Sequence, residues 1–241
     1  MPSFEHRGAT LHYDEYGQGF PLLLLAPGGM RSNATFWQRA PFDPTQQFAA
    51  QFRVIAMDQR NAGRSFAPIT ADDGWDSYAE DQFALLDHLG ISRCHLLGGC
   101  IGGAFALALI DAAPQRIASA VLQQPIGLSP TNRAVFYELF DGWQNEIAPR
   151  HAQVEAAAWQ AFRERMYGGD FVFSVARDAV RRAQTPLLVL MGNDIYHPTE
   201  TSREIVALAP QARLIERWKD AESIDAAVSS VREFLLAHTP K

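Results

Sequence analysis

The sequence predicts an α/β protein: a mostly parallel sheet flanked by helices and interrupted once by a helical insertion. Three observations carry that expectation. Short apolar runs recur at 21–26, 53–57, 95–98, 117–123 and 187–191. Stretches with apolar residues spaced by three and four lie between most of them, and strands that alternate with helices pair in parallel, buried on both faces. Between 125 and 185 the alternation stops and only helical patterns remain.

Taken in order, residues 11–16 alternate as a strand and Gly17-Gln18-Gly19 marks a turn. The run 21–26 is closed by Pro27-Gly28-Gly29, and the run 53–57 by Asp58. Residues 82–89 have helical spacing, and Gly90 stops them as a helix-terminating glycine does. After the strand at 95–98 comes Ala104-Phe105-Ala106-Leu107-Ala108-Leu109-Ile110, rich in helix formers and ended by Pro114. Strands are expected at 117–123 and 187–191, with a weaker one at Leu214-Ile215; 199–209 and 224–237 read as helices.

The stretch 125–185 carries Phe136, Tyr137, Phe140, Trp143, Trp159, Phe162, Met166, Tyr167, Phe171 and Phe173. An insertion of this length, flanked by core at 1–124 and 186–241, is expected to cap the crevice at the carboxyl ends of the strands, where open α/β sheets bind ligands. Aromatics at helical spacing are mostly core, so most of these should pack the cap onto the sheet.

Composition narrows the function. The chain has 241 residues, 47% apolar and 20% charged, enough to bury a core without metal or disulfide staples. A net charge of −6 lacks the basic field that a nucleic-acid binder needs. Two cysteines make no disulfide framework: Cys94 and Cys100 would stand roughly 20 Å apart along a strand, whereas a disulfide needs less than about 7 Å. The longest aliphatic run, 22–25, is far short of the about 20 residues that span a bilayer, and charges interrupt the N-terminal stretch. A cytoplasmic protein with neither membrane nor nucleic acid as partner is the expectation, its oligomeric state open.

The segment that carries chemistry is Leu96-Leu97-Gly98-Gly99-Cys100-Ile101-Gly102-Gly103-Ala104. A strand enters a tight turn and a helix leaves it. Such a turn crowds its flanks, so small residues are needed two before and two after the central one, and Gly98 and Gly102 stand there. The central thiol projects at a helix N-terminus, which favours the thiolate.

These features resemble the α/β-hydrolase superfamily over nearly the whole chain, in the family's order. Ala26-Pro27-Gly28-Gly29-Met30 is similar to the oxyanion-hole loop, where His-Gly is more usual. Residues 58–65 are similar to the Asp-x-Arg-Gly-x-Gly-x-Ser loop, read here as structural. Gly98-Gly99-Cys100-Ile101-Gly102 resembles the nucleophile elbow, with Cys where Ser is commonest, as in dienelactone-hydrolase-like members. Met191-Gly192-Asn193-Asp194 resembles the loop carrying the acid. The resemblance implies Cys100 as nucleophile, Asp194 as the acid that orients a base, and oxyanion donors at Ile101 and at Gly29 or Met30.

One element of the family pattern is missing. No histidine follows the last strand: 212–222 contains none, and His238 comes too late. Three substitutes stand open as base: His197, three residues after Asp194; His151, in the insertion; and Lys219, at the usual histidine's place. Alternatively, the thiol needs little help and opens only activated acyl groups, or the fold has lost hydrolysis and binds a small ligand or carries out a non-hydrolytic step. His12, His88 and His95 read as structural. No metal-ligand spacing appears, and the paired glycines at 98–103 lack the dinucleotide spacing, so no cofactor or metal is expected. The leading expectation is a cofactor-independent hydrolase of a small ester, thioester or lactone with an apolar part. One of the cap arginines (Arg133, Arg150, Arg163, Arg165, Arg177, Arg181, Arg182) is a candidate to receive a substrate carboxylate.

Overall fold

The computed structural model describes residues 2–240. Eight strands form one sheet in the order β1-β2-β4-β3-β5-β6-β7-β8. They are β1 Ser3–His6, β2 Ala9–Tyr16, β3 Phe20–Leu25, β4 Phe52–Met57, β5 Cys94–Gly99, β6 Ile117–Gln123, β7 Leu187–Leu190 and β8 Ala212–Ile215. From β4 to β8 every neighbouring pair is parallel, and only β1 and β2 add an antiparallel edge. The mostly parallel α/β sheet is therefore as the sequence predicts. β1 is the strand that periodicity does not reveal, because at four residues, with only Phe4 buried, it carries too little pattern.

Helices α1 Pro44–Gln47, α2 Trp75–His88, α3 Ile101–Ala112, α4 Arg133–Ile147, α5 Ala156–Tyr167, α6 Arg177–Arg182, α7 Thr199–Leu208 and α8 Ile224–Ala237 surround the sheet. Each buried strand sends alternate side chains to opposite faces, which is why its sequence reads as a continuous apolar run. Leu23, Leu25, Ile55, Leu96, Leu122 and Val189 face the core shared with α2 and α3. Leu22, Leu24, Val54, Leu97, Val121 and Leu190 face the second core, where Trp218 and Val231 and Leu235 of α8 pack.

Between β6 and β7 the chain runs through α4, α5 and α6. Phe136, Phe140, Trp143, Trp159, Phe162, Met166 and Tyr167 are all buried. Most of the rings pack edge to face, as aromatic quadrupoles prefer: Phe140 lies 5.3 Å from both Trp143 and Phe162, while Phe136 and Tyr167 stack. Two indoles tie this layer to the sheet's loops, Trp143 donating to the Asn61 carbonyl at 3.2 Å and Trp75 donating to Met166 at 2.9 Å.

The loop after β4 acts as a brace. Asp58 accepts from the Ala34 amide at 2.9 Å and from Arg64 Nε at 2.7 Å, while Ser65 donates to the Asp58 carbonyl. Arg60 is buried between Asp73 and Asp81, with its Nε 2.8 Å from Asp81. Among the described residues no helix is long and apolar enough to cross a membrane.

Candidate active site

β5 ends in Gly99 and α3 begins at Ile101, so Cys100 is the whole of the bend. Its φ of 58° and ψ of −117° are backbone values that L-residues avoid. The neighbours over-determine them. The Cys100 amide donates to Gln123 at 2.9 Å, and its carbonyl accepts from Gly103 at 3.1 Å and Ile126 at 3.2 Å. The flanking glycines are required by close approach: a Cβ on Gly98 would stand 2.1 Å from the Gly102 oxygen, and one on Gly102 would stand 1.9 Å from the Leu25 oxygen. Both cysteines are free; Cys94 is sealed in the core and Cys100 reaches the surface of a pocket.

The loop after β7 supplies the other two groups. Asp194 and His197 are three residues apart, and a tight turn makes that separation productive. Asp194 Oδ1 accepts from the amides of Tyr196 (3.0 Å) and His197 (3.1 Å). The same carboxylate closes on the imidazole, with Nδ1 2.9 Å from Oδ2. With Nδ1 held by Asp194, Nε2 is the remaining ring nitrogen of a residue that lines the pocket over Cys100. Nε2 is buried and has no regular hydrogen bond to any described residue. The turn depends on Gly192, whose Cβ would stand 2.4 Å from the His197 carbonyl. It is anchored by the buried amide of Asn132, which donates to Ile195 at 2.8 Å and Gly127 at 2.9 Å. Asn132 escaped sequence reading, since an asparagine before a helix reads as an ordinary cap.

Electrostatics follow from this arrangement. Burial alone would push the Cys100 thiol up, but His197 and the amides of Gly28 and Ile101 face the sulfur and hold it below the ordinary thiol value. Burial opposes the charged form of His197 as well, yet Cys100 and Asp194 hold its pKa above the ordinary imidazole value. Asp194 is held low against burial by His197 and the two amides that it accepts from. From the loop after β3, the amide facing the sulfur is that of Gly28 rather than the expected Gly29 or Met30, which follow it directly and line the pocket with it.

The other candidate bases lie elsewhere. His151 stacks on Phe66, with ring centroids 5.1 Å apart, beside Trp159 and outside the lining of the Cys100 pocket. Lys219 is exposed and donates to Gln124 Oε1 at 3.1 Å. Its neighbour Trp218 is buried and donates to the Met191 carbonyl at 2.8 Å.

The pocket over Cys100 holds about 280 Å³. Its walls are chiefly apolar, with Met30, Ile101 and Ile126 below and Phe136, Leu139 and Tyr167 of α4 and α5 above. The cap arginines do not reach it. Arg163 pairs with Asp141, Arg177 with Glu204 and Asp170, and Arg133 donates to the Tyr167 and Gly169 carbonyls. The arginine in the lining is Arg31, from the loop after β3. Among the described residues no cluster of metal-ligating side chains occurs.

A mostly parallel sheet and a strained strand-to-helix elbow define a class, from which the histidine after the last strand is missing here. Residues 21–215 match the family model described as alpha/beta hydrolase fold, and the chain belongs to that family. Over 238 residues it is 29% identical to "Putative carbamate hydrolase RutD" of Variovorax paradoxus (strain S110), covering 95% of this chain and 88% of that protein. It is 27% identical to the 2-hydroxymuconate semialdehyde hydrolase of Pseudomonas sp. (strain CF600), with 95% and 91% covered. In fold it is similar to the enol-lactonase from Burkholderia xenovorans LB400, with a TM-score of 0.71, 24% identity, and 98% and 100% of the two chains covered.

Proposed function

We propose that this protein is a cofactor-independent cytoplasmic hydrolase of small esters, thioesters or lactones, acting through Cys100, His197 and Asp194. The observation that supports it most is the convergence of the Asp194–His197 pair and the Cys100 sulfur on one small, chiefly apolar pocket. The segment 125–185 serves as its cap. Hydrolase names among the relatives agree with this reading.

In the resting site the thiol proton moves to His197 Nε2, leaving a thiolate beside an imidazolium that Asp194 stabilises. The sulfur attacks the scissile carbonyl carbon, and the carbonyl π electrons move to oxygen. The amides of Ile101 and of the turn that begins at Gly28 donate to that oxyanion. As the C–S bond persists and the C–O or C–S bond to the leaving group breaks, His197 returns its proton to the leaving oxygen or sulfur. Water then attacks the acyl-cysteine with His197 as base, and the carboxylic acid leaves as the thiol reforms.

The test is hydrolysis of p-nitrophenyl and coenzyme A esters by wild type, Cys100→Ala and His197→Gln. Turnover in wild type should be lost in Cys100→Ala and fall at least about 100-fold in His197→Gln. Turnover that survives Cys100→Ala refutes the nucleophile. Selective ligand binding without turnover of any ester refutes the hydrolase in favour of a binding protein.

A further inference from the structure

The pocket over Cys100 has one polar corner, and that corner is built of donors. Arg31 enters from the turn after β3 and Tyr167 from the end of α5. Tyr167 is 1% exposed, and its hydroxyl has no hydrogen bond to any described residue. Unlike the sealed Tyr78 hydroxyl, it belongs to a residue that lines the pocket and is free to donate to a ligand there. Burial and the neighbouring Cys100 hold this hydroxyl protonated, and Arg31 is close enough to act in the opposite sense, so the three groups share one corner. Within the lining there is no carboxylate and no cation besides Arg31 that is charged independently of Cys100.

Arg31 is held in place from outside. Its Nε and one terminal nitrogen donate to Glu146 of α4 at 2.7 and 2.6 Å, a bidentate pair that leaves the other terminal nitrogen unpaired. The Glu146 side chain is 60% exposed and that of Arg31 30% exposed. The carboxylate therefore lies on the solvent side of the guanidinium.

We propose that Arg31 and Tyr167 form a carboxylate-binding corner, so that the substrate of the Cys100 site is a small ester, thioester or lactone that also carries a carboxylate. This rests on the hydrolase reading for the reacting bond, but not for the anion site. The apolar wall holds the short carbon skeleton, the guanidinium pairs with the carboxylate, and the phenol donates to one of its oxygens. Glu146 competes for the guanidinium from the solvent side and yields part of it to the incoming anion. At about 280 Å³ the cavity has room for roughly nine water volumes at about 30 Å³ each, which suits a compact acid rather than a long acyl chain.

Two alkylating probes of nearly equal size test this without any turnover. Iodoacetate carries a carboxylate and iodoacetamide does not; the rate of Cys100 modification by each is measured by mass spectrometry and divided by the rate for free cysteine. The expected normalised ratio, iodoacetate over iodoacetamide, is about tenfold or more in wild type. It should fall in Arg31→Met and in Tyr167→Phe, and hold or rise in Glu146→Gln, which releases the guanidinium. His197 stays in place throughout, so its own attraction for the anion cancels between wild type and the Arg31 variant. A ratio that Arg31→Met leaves unchanged overturns the proposal. So does an equal drop in Arg31→Met and Glu146→Gln, which marks the pair as a structural latch only. Mono-p-nitrophenyl glutarate against p-nitrophenyl butyrate separates the two readings. An Arg31-dependent probe preference with neither ester hydrolysed keeps the anion site and removes the hydrolase. Hydrolysis of both esters with no preference that depends on Arg31 does the reverse.

Discussion

Gly102→Ala tests the elbow most directly. The new Cβ would stand 1.9 Å from the Leu25 oxygen and 2.7 Å from its carbonyl carbon, while ordinary contact begins near 3.4 Å. Neither contact is a flexible side-chain end; both are backbone atoms of Leu25 at the end of the central strand β3. The helix must retreat from β3 by about 1.5 Å, which is overpacking of the most severe kind and costs about 3 kcal/mol or more. At about 2–4 °C per kcal/mol for a chain of this size, the melting temperature should drop by about 6–12 °C. The retreat also carries the Ile101 amide away from the sulfur. A misplacement of about 1 Å costs on the order of 100-fold in turnover. Gly90→Ala is the control, since Gly90 has φ 68° but nothing within 4 Å of its Cβ position. It should cost only the left-handed penalty of about 1 kcal/mol, or about 2–4 °C. Differential scanning calorimetry and ester hydrolysis read both variants. A Gly102→Ala protein that melts within error of Gly90→Ala, with turnover intact, would refute the close approach and the elbow built on it.

Other perturbations have equally definite outcomes. His197→Gln removes the imidazole that, together with the Gly28 and Ile101 amides, offsets burial at Cys100, so the pH midpoint for iodoacetamide labelling should move upward; an unmoved midpoint would show that His197 does not face the sulfur. Burial holds His95 down at about 4, below its ordinary 6.5, with Nδ1 2.8 Å from Ser119 Oγ. A lowered folded value means that the unfolded chain takes the proton first, so this stability is complete above pH 6.5. It should be lost as pH falls toward 4, by about 3 kcal/mol in all; His95→Gln should flatten the dependence of melting temperature on pH across that window. Asp81→Asn leaves the buried Arg60 with Asp73 as its remaining carboxylate partner and should cost about 3 kcal/mol in urea denaturation. Trp143→Ala should cost about 3–5 kcal/mol, because it opens a cavity in the aromatic layer of α4 and α5 and removes the bond to Asn61; a change below about 1 kcal/mol would mean that this layer packs loosely.

The sheet was legible in the residue order because burial on both faces writes each central strand as an uninterrupted apolar run, as in Leu22–Leu23–Leu24–Leu25. The elbow was legible for a related reason: Gly98 and Gly102 are dictated by local crowding, which acts over a few residues and leaves a spacing to read. His197 had a weaker signature. Three residues from Asp194, it offers no spacing that separates a productive turn from a bland loop, and the family pattern directs attention instead to the loop after β8. Only the folded chain, with Gly192 closing the turn and Asn132 anchoring it, brings that imidazole against its acid. Arg31 was invisible for the same reason in stronger form. Its place in the pocket depends on where α4 and α5 settle over the loop after β3, a contact between segments more than 100 residues apart. The sequence by itself thus determined the scaffold and the place of the Cys100 sulfur at the elbow, both set by short-range sterics and periodic burial. The tertiary structure decided which imidazole Asp194 holds and which charge shares the Cys100 pocket, because those depend on long-range packing that no local pattern records.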